Sequence, residues 1–414
     1  MSPRSRPVRL AAATAILLIT PACATIDPVA GPSTSAAPSA AAGHGEIAGA
    51  AEVAEPPLQL VSVDESGALG ALDLLDGTTA EIARVGAPEA LASDGRYLFV
   101  TTDAGVEIVD SGAWTWDHVD HFHYYRAEPR TVGTVDGAGP ATVSTGLLST
   151  AGATGIFLSG SGQAVLLDNA ALGDGRIDEL FRIETGAPEG VAAPLGGGAL
   201  VSAPGEDGGM LRFHEADGAV TPSTTECVDA QGSITTRVGL VVGCADGAVL
   251  ATMDRGEPVF ERIPYPADAT AERAIGFDGR KGRPTVAAIA GDAGLWLLDT
   301  REREWTLVET DAPLLRVAAV DDADGHVVAL DTEGRVRVLL AGTGEEVAVT
   351  EPLLPETLDA DALTGVSLTV DAQRAYLSAP TEGVAYEIAY ADGARIARTL
   401  ETPTEPAFLA EVGR

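Results

Sequence analysis

The chain has 414 residues, with 61 Asp+Glu against 26 Lys+Arg and a formal net charge of -35. Such a field repels phosphate backbones and anionic headgroups and gathers cations, which argues against nucleic acid as a partner. Aromatic residues are 5% and the apolar fraction of 45% is rich in Ala, Val and Leu, so the core is built from many small side chains; 48 Gly and 25 Pro call for many turns.

The chain opens on an address. Arg4, Arg6 and Arg9 precede an apolar run from Leu10 to Ile19, then Thr20, Pro21 and Ala22 lead into Cys23. The run is of signal-peptide length and too short to span a bilayer. A small residue before a cysteine at that place resembles a bacterial lipobox, which makes residues 1–22 a signal peptide and Cys23 a lipid-attachment site; plain secretory cleavage is the alternative. Either route exports the protein, and the first leaves it on the outer face of the cytoplasmic membrane, bound only through its anchor.

Residues 23–57 are Ala, Gly, Ser and Pro with few large apolar side chains. That composition buries too little to offset the entropy of ordering, so the segment is expected to be a disordered tether, with His44 an incidental member.

From residue 58 to 414 one pattern recurs: a Pro/Gly turn, a short alternating segment, an Asp/Gly turn, an apolar strand, another Gly turn and a further apolar strand. The unit from Gly86 to Ser111 shows it, with strands expected at Glu89 to Ala92, Tyr97 to Thr101 and Val106 to Val109; others begin near Gly139, Gly186, Gln231, Ala274, Leu315 and Gly365. About seven copies of about 40 to 50 residues fit the four-stranded blades of an all-β propeller. Leu58 to Val63, Ala68 to Leu74 and Glu81 to Val85 form a blade without its inner strand, and Ala407 to Val412 an inner strand without its blade. Joined, they close the ring and leave no open edge, which favours eight blades over seven.

With Cys23 assigned to the anchor, Cys227 and Cys244 remain as an even pair in an oxidising compartment and are expected to form a disulfide; a shared metal is the alternative, without C-x-x-C spacing to support it.

Three of the six histidines fall in the run Asp117, His118, Val119, Asp120, His121, Phe122, His123, Tyr124, Tyr125. Imidazoles interleaved with carboxylates are the donors that suit zinc. The run follows the Gly86 unit and is placed on that blade's outer strand or the loop beyond it. In a continuous strand Asp117, His121 and His123 share a face, opposite His118, Asp120 and Phe122, so His121 and His123 are the natural pair and His118 joins them only where the backbone turns. His118, Asp120, His121 and His123 are therefore the candidate zinc ligands, binding as neutral imidazoles. An exposed polar loop that binds nothing is the bland alternative. His214 and His326 lie beside apolar residues and fit ordinary strand positions.

The segment from Asp117 to Pro129, and the pair Cys227 and Gly243-Cys244-Ala245-Asp246-Gly247, resemble the AztD-type zinc metallochaperones. The resemblance implies an exported propeller that passes zinc to the solute-binding protein of a zinc ABC transporter. Histidines of that family occur where this chain has Pro188-Glu189-Gly190 and Ala230-Gln231-Gly232, which leaves a second site dependent on Glu189 and Gln231. No G-x-S-x-G, P-loop or H-E-x-x-H motif is present. An interaction scaffold, or a propeller enzyme of lactonase or quinoprotein type, is the competing expectation.

Overall fold

The fold was analysed in a computed structural model of the chain, which describes residues 47–117, 121–205 and 208–414. The expected signal peptide, Cys23, His44, His118 and Asp120 lie outside the described residues. Gly45–Arg414 forms one compact unit.

Short apolar runs punctuated by Gly and Asp turns dictate strands of three to eight residues here, and only two short α-helices, Asn169–Gly173 and Pro355–Asp359, occur among the described residues. Among the described residues the strands make nine sheets, seven of four strands and two of three. Eight have the antiparallel blade order of a β-propeller once one inserted hairpin is set aside; the ninth is that hairpin. Two strands in the middle of their blades, β3 (Ala68–Asp73) and β6 (Tyr97–Thr102), are buried along their whole length because a neighbouring blade covers each face. Outer strands alternate instead, as in Val220–Glu226. Adjacent blades interlock through Val, Leu and Ala: Val61, Leu69, Leu98, Val100, Val109 and Val412 pack in one cluster.

The ring closes as the terminal segments predict. β2 (Gln59–Val63) pairs with β3 on one side and with Phe408–Val412 on the other, Gln59 opposite Val412 and Val63 opposite Phe408. β4 (Thr79–Arg84) completes that sheet.

The unit expected near Ala274 departs from the pattern. Its sheet has three strands, and the inner place is held by an isolated bridge in which Asp278 and Ala287 exchange backbone hydrogen bonds of 2.8 and 2.9 Å. Gly276, Gly279 and Gly282 crowd that stretch, and glycine pays too much backbone entropy to hold a longer strand.

The tether also ends sooner than its composition suggests. β1 (Ala50–Val53) is an edge strand with no buried residue, so hydrogen bonds to a partner rather than core burial account for its order.

The cysteines form the expected disulfide, Cys227–Cys244, both buried, tying the chain after the outer strand Val220–Glu226 to the end of Leu240–Cys244 in the next blade. Sulfurs bonded to each other are not available to a metal. Among the described residues no helix is long and apolar enough to cross a membrane.

Candidate metal centre

The histidine run is not on the outer strand of its blade. The Gly86 blade consists of β5 (Ala90–Ser93), β6, β7 (Gly105–Asp110) and β10 (Arg130–Asp136), and β10 is its outer strand. Between β7 and β10 the chain leaves the blade as a hairpin, β8 (Ala113–Asp117) and β9 (Phe122–Ala127), to which β1 adds a third strand in the order β1-β9-β8. Gly112 makes the exit possible. It has φ 74°, and a Cβ there would lie 2.2 Å from the Ala127 carbonyl oxygen.

Alternation puts Trp114 and Trp116 of β8, His123 and Tyr125 of β9 and Glu52 of β1 on one face, because residues directly opposite in an antiparallel ladder share a side. These rings form a column from the core outward. The Arg96 guanidinium, held by Asp110 through bonds of 3.0 and 2.8 Å, lies 3.8 Å over Trp114. Trp114 stacks on Tyr125 at 5.1 Å, Tyr125 on His123 at 6.1 Å, and Trp116 flanks His123 at 6.2 Å. Packing of this kind locks ring orientations.

At the outer end the Nε2 atoms of His121 and His123 are 2.9 Å apart. His123 is 7% exposed, whereas His121 is exposed. On its other side, His123 Nδ1 is 2.7 Å from a carboxylate oxygen of Glu52. An ionised carboxylate only accepts, so Nδ1 carries the hydrogen, and Nε2 is the ring atom turned toward His121. This carboxylate–imidazole arrangement recurs behind metal-ligating histidines. Two nitrogens bound to one tetrahedral zinc at about 2.0–2.1 Å stand about 3.3 Å apart, so a small ring movement suffices to admit the ion. Burial, and next to it the Glu52 carboxylate, raises the Tyr125 hydroxyl above its ordinary value, which keeps that ring neutral.

His121 and His123 come together as the period-two pattern requires. Asp117 does not join them: the chain reverses, Asp117 pairs with Phe122 on the opposite face, and its carboxylate meets Arg237 at 3.3 Å. His118 and Asp120 lie outside the described residues. Among the described residues no group of three or more His, Cys, Asp or Glu converges as a metal site. Glu52 was not visible to sequence reasoning, being 71 positions from His123 in a segment of tether composition; only the isolated Val53 before Pro56 and Pro57 hinted at a strand.

Glu189 and Gln231 also meet, in a depression that includes Cys227 and Asp229. The Gln231 amide donates to Glu189 at 3.0 Å, and Arg273 donates to Gln231 Oε1 at 3.1 Å and to the Asp229 carbonyl at 2.6 Å. A guanidinium at this place repels a cation. His214 and His326 are buried strand residues bonded to the Gly218 carbonyl at 3.1 Å and the Asp322 carboxylate at 2.7 Å.

The class the geometry defines is a β-propeller that carries a histidine pair on a hairpin inserted in one blade. Its fold is that of AztD: the crystal structure of Citrobacter koseri AztD superposes with a TM-score of 0.73 at 19% identity, covering 86% of this chain and 97% of that one. The structure of apo AztD from Citrobacter koseri gives 0.72 at the same identity and coverage. Dihydro-heme d1 dehydrogenase NirN in complex with DHE is more distant, with a TM-score of 0.53 at 17% identity over 87% of this chain and 76% of that one. No family model matches the sequence.

Proposed function

We propose that this protein is an exported zinc carrier that binds the ion at the tip of the inserted hairpin and delivers it to the solute-binding protein of a zinc ABC transporter. The observation that carries the proposal is the His121–His123 pair with Glu52 behind His123. The AztD fold supports it, the buried disulfide suits an oxidising compartment, and lipidation at Cys23 would hold the protein outside the cytoplasmic membrane.

His121 and His123 supply two imidazole donors, and His118 and Asp120 are assigned to complete a tetrahedral set. The two described ligands have different roles. His123, buried and carboxylate-backed, is the fixed donor; exposed His121 is the one a partner can replace first, which gives a route for stepwise transfer. The net charge of -35 raises the local concentration of cations around the molecule. Acid protonates ligating imidazoles, so zinc affinity falls as pH is lowered.

The test mixes zinc-loaded protein with an apo solute-binding protein and a competing chelator. The parent should load its partner faster than release to the chelator allows, and the combined His118→Ala, His121→Ala, His123→Ala variant should lose binding by at least about 100-fold. A triple variant that binds and transfers like the parent overturns the site; a parent that binds zinc but only leaks it to the chelator makes storage the function.

A further inference from the structure

The geometry points to β1 as a latch on the zinc site: docking of Ala50–Val53 brings Glu52 to His123, so zinc retention and strand docking are coupled. The inference rests on the zinc reading above and adds a positioning residue and a mechanism of release to it.

Three observations carry it. First, Glu52 reaches His123 only through strand pairing. It lies opposite Tyr125, two residues from His123 on the same face, and the diagonal between them is spanned by the 2.7 Å bond to Nδ1. Second, the strand is weakly held. It is four residues long, pairs only with β9, has no buried residue, and leaves the Glu52 side chain 51% exposed while His123 is nearly enclosed. Short exposed edge elements open locally at far lower cost than core strands. Third, β1 is the first strand among the described residues and lies only a few positions ahead of β2, the strand that closes the ring. A pull on the segment before Ala50 therefore acts on β1 directly, whereas β2, paired on both sides, holds firm.

The physical consequence is linkage. With β1 docked, the carboxylate fixes the His123 tautomer and ring orientation and makes Nε2 a better donor; with β1 lifted, His123 loses that support and the ion is held less tightly. What docking does for zinc, zinc must do for docking. A partner that captures the N-terminal segment, or pairs with β9 in place of β1, would thus trigger release without touching the metal.

The experiment uses the full chain and a chromogenic chelator competing for zinc. Glu52→Ala should weaken zinc binding by about 10- to 100-fold, the effect of removing a carboxylate behind a ligating histidine. Glu52→Gln, whose amide oxygen still accepts from Nδ1, should fall between parent and Glu52→Ala. Ala50→Pro with Ala51→Pro keeps Glu52 but removes a ladder donor, since neighbouring strand residues point their N–H groups to opposite sides, and should match Glu52→Ala. Zinc should slow amide exchange within Ala50–Val53 in the parent and not in Glu52→Ala. Binding within about twofold of the parent in Glu52→Ala or the double-proline variant overturns the latch, as does exchange that ignores zinc or a Gln variant as weak as Ala. His121→Ala with His123→Ala separates the two ideas: if it loses zinc while Glu52→Ala does not, the site stands without the latch, and if it binds like the parent, both fail.

Discussion

The ring and the hairpin solve opposite problems with the same secondary structure. In the ring, middle strands such as β3 and β6 have a partner on each edge and a blade on each face, so their residues are buried and replaceable only by others of similar size. In the hairpin sheet three short strands are anchored to the ring by single contacts, Trp114 under Arg96, Thr115 to the Gly413 carbonyl and Arg126 to Asp73, and the histidine pair sits at the far end. Stability is concentrated in the first and chemistry in the second, so a change in one should leave the other largely untouched.

The largest effect should come from opening the ring. Deleting Phe408–Val412 together with the residues after it leaves β2 with an unpaired edge, and the protein should melt at least 10 °C lower, by calorimetry, and aggregate on refolding, by light scattering, an estimate of about several kcal/mol. A truncated chain that melts with the parent would mean that closure contributes nothing.

Next is a pH effect confined to the ring. Glu411, in the closing strand, is 1% exposed, and burial pushes its carboxyl from 4.5 up to about 7, against the pull of Arg414 at 2.9 Å. The folded protein therefore keeps a proton that the unfolded chain releases near its ordinary value, so stability falls as pH rises from the unfolded value to about 7 and the loss persists above it. Glu411→Gln removes this titration. Between about pH 5 and pH 8 its stability relative to the parent, from urea unfolding, should improve by about 1–3 kcal/mol. No change in the difference would show that the ion pair keeps the carboxylate charged, and zinc binding should be unaffected either way.

The smallest effect sharpens the contrast within the ring. Gln231→Ala disturbs only the Glu189–Gln231–Arg273 chain, so zinc affinity and stoichiometry, by competition titration, should stay within about twofold of the parent. A lost equivalent of zinc would restore this depression as a second site.

Most of the ring was legible in the sequence because its signals are local: Gly and Asp turns at regular spacing, continuous apolar runs for middle strands, and two incomplete ends that fit each other. The pairing of His121 with His123 was legible for the same reason, since a period of two needs no distant information. The hairpin insertion was not. Ala113 to Asp117 alternates as an outer strand would, and only the pairing of β7 with β10, across the inserted residues, shows that it is something else. Glu52 was hidden further still, because the contact that gives it meaning is made by the tertiary fold and its own neighbours bury nothing. The missing inner strand near Ala274 shows the converse error, a repeat carried on by expectation where local glycines had already ended it.

The ring column beside the histidines has an optical consequence. Of the four tryptophans, Trp114 and Trp116 belong to the hairpin, whereas Trp296 and Trp305 lie 5.8 Å apart in a single blade of the ring, where each indole N–H is bonded to a backbone carbonyl. The protein thus carries two separate pairs of fluorophores, one beside the proposed cargo and one in the scaffold. Replacing Trp296 and Trp305 by phenylalanine would leave emission that reports the hairpin alone, with Trp116, 6.2 Å from His123, as an intrinsic indicator of when the ion arrives and leaves.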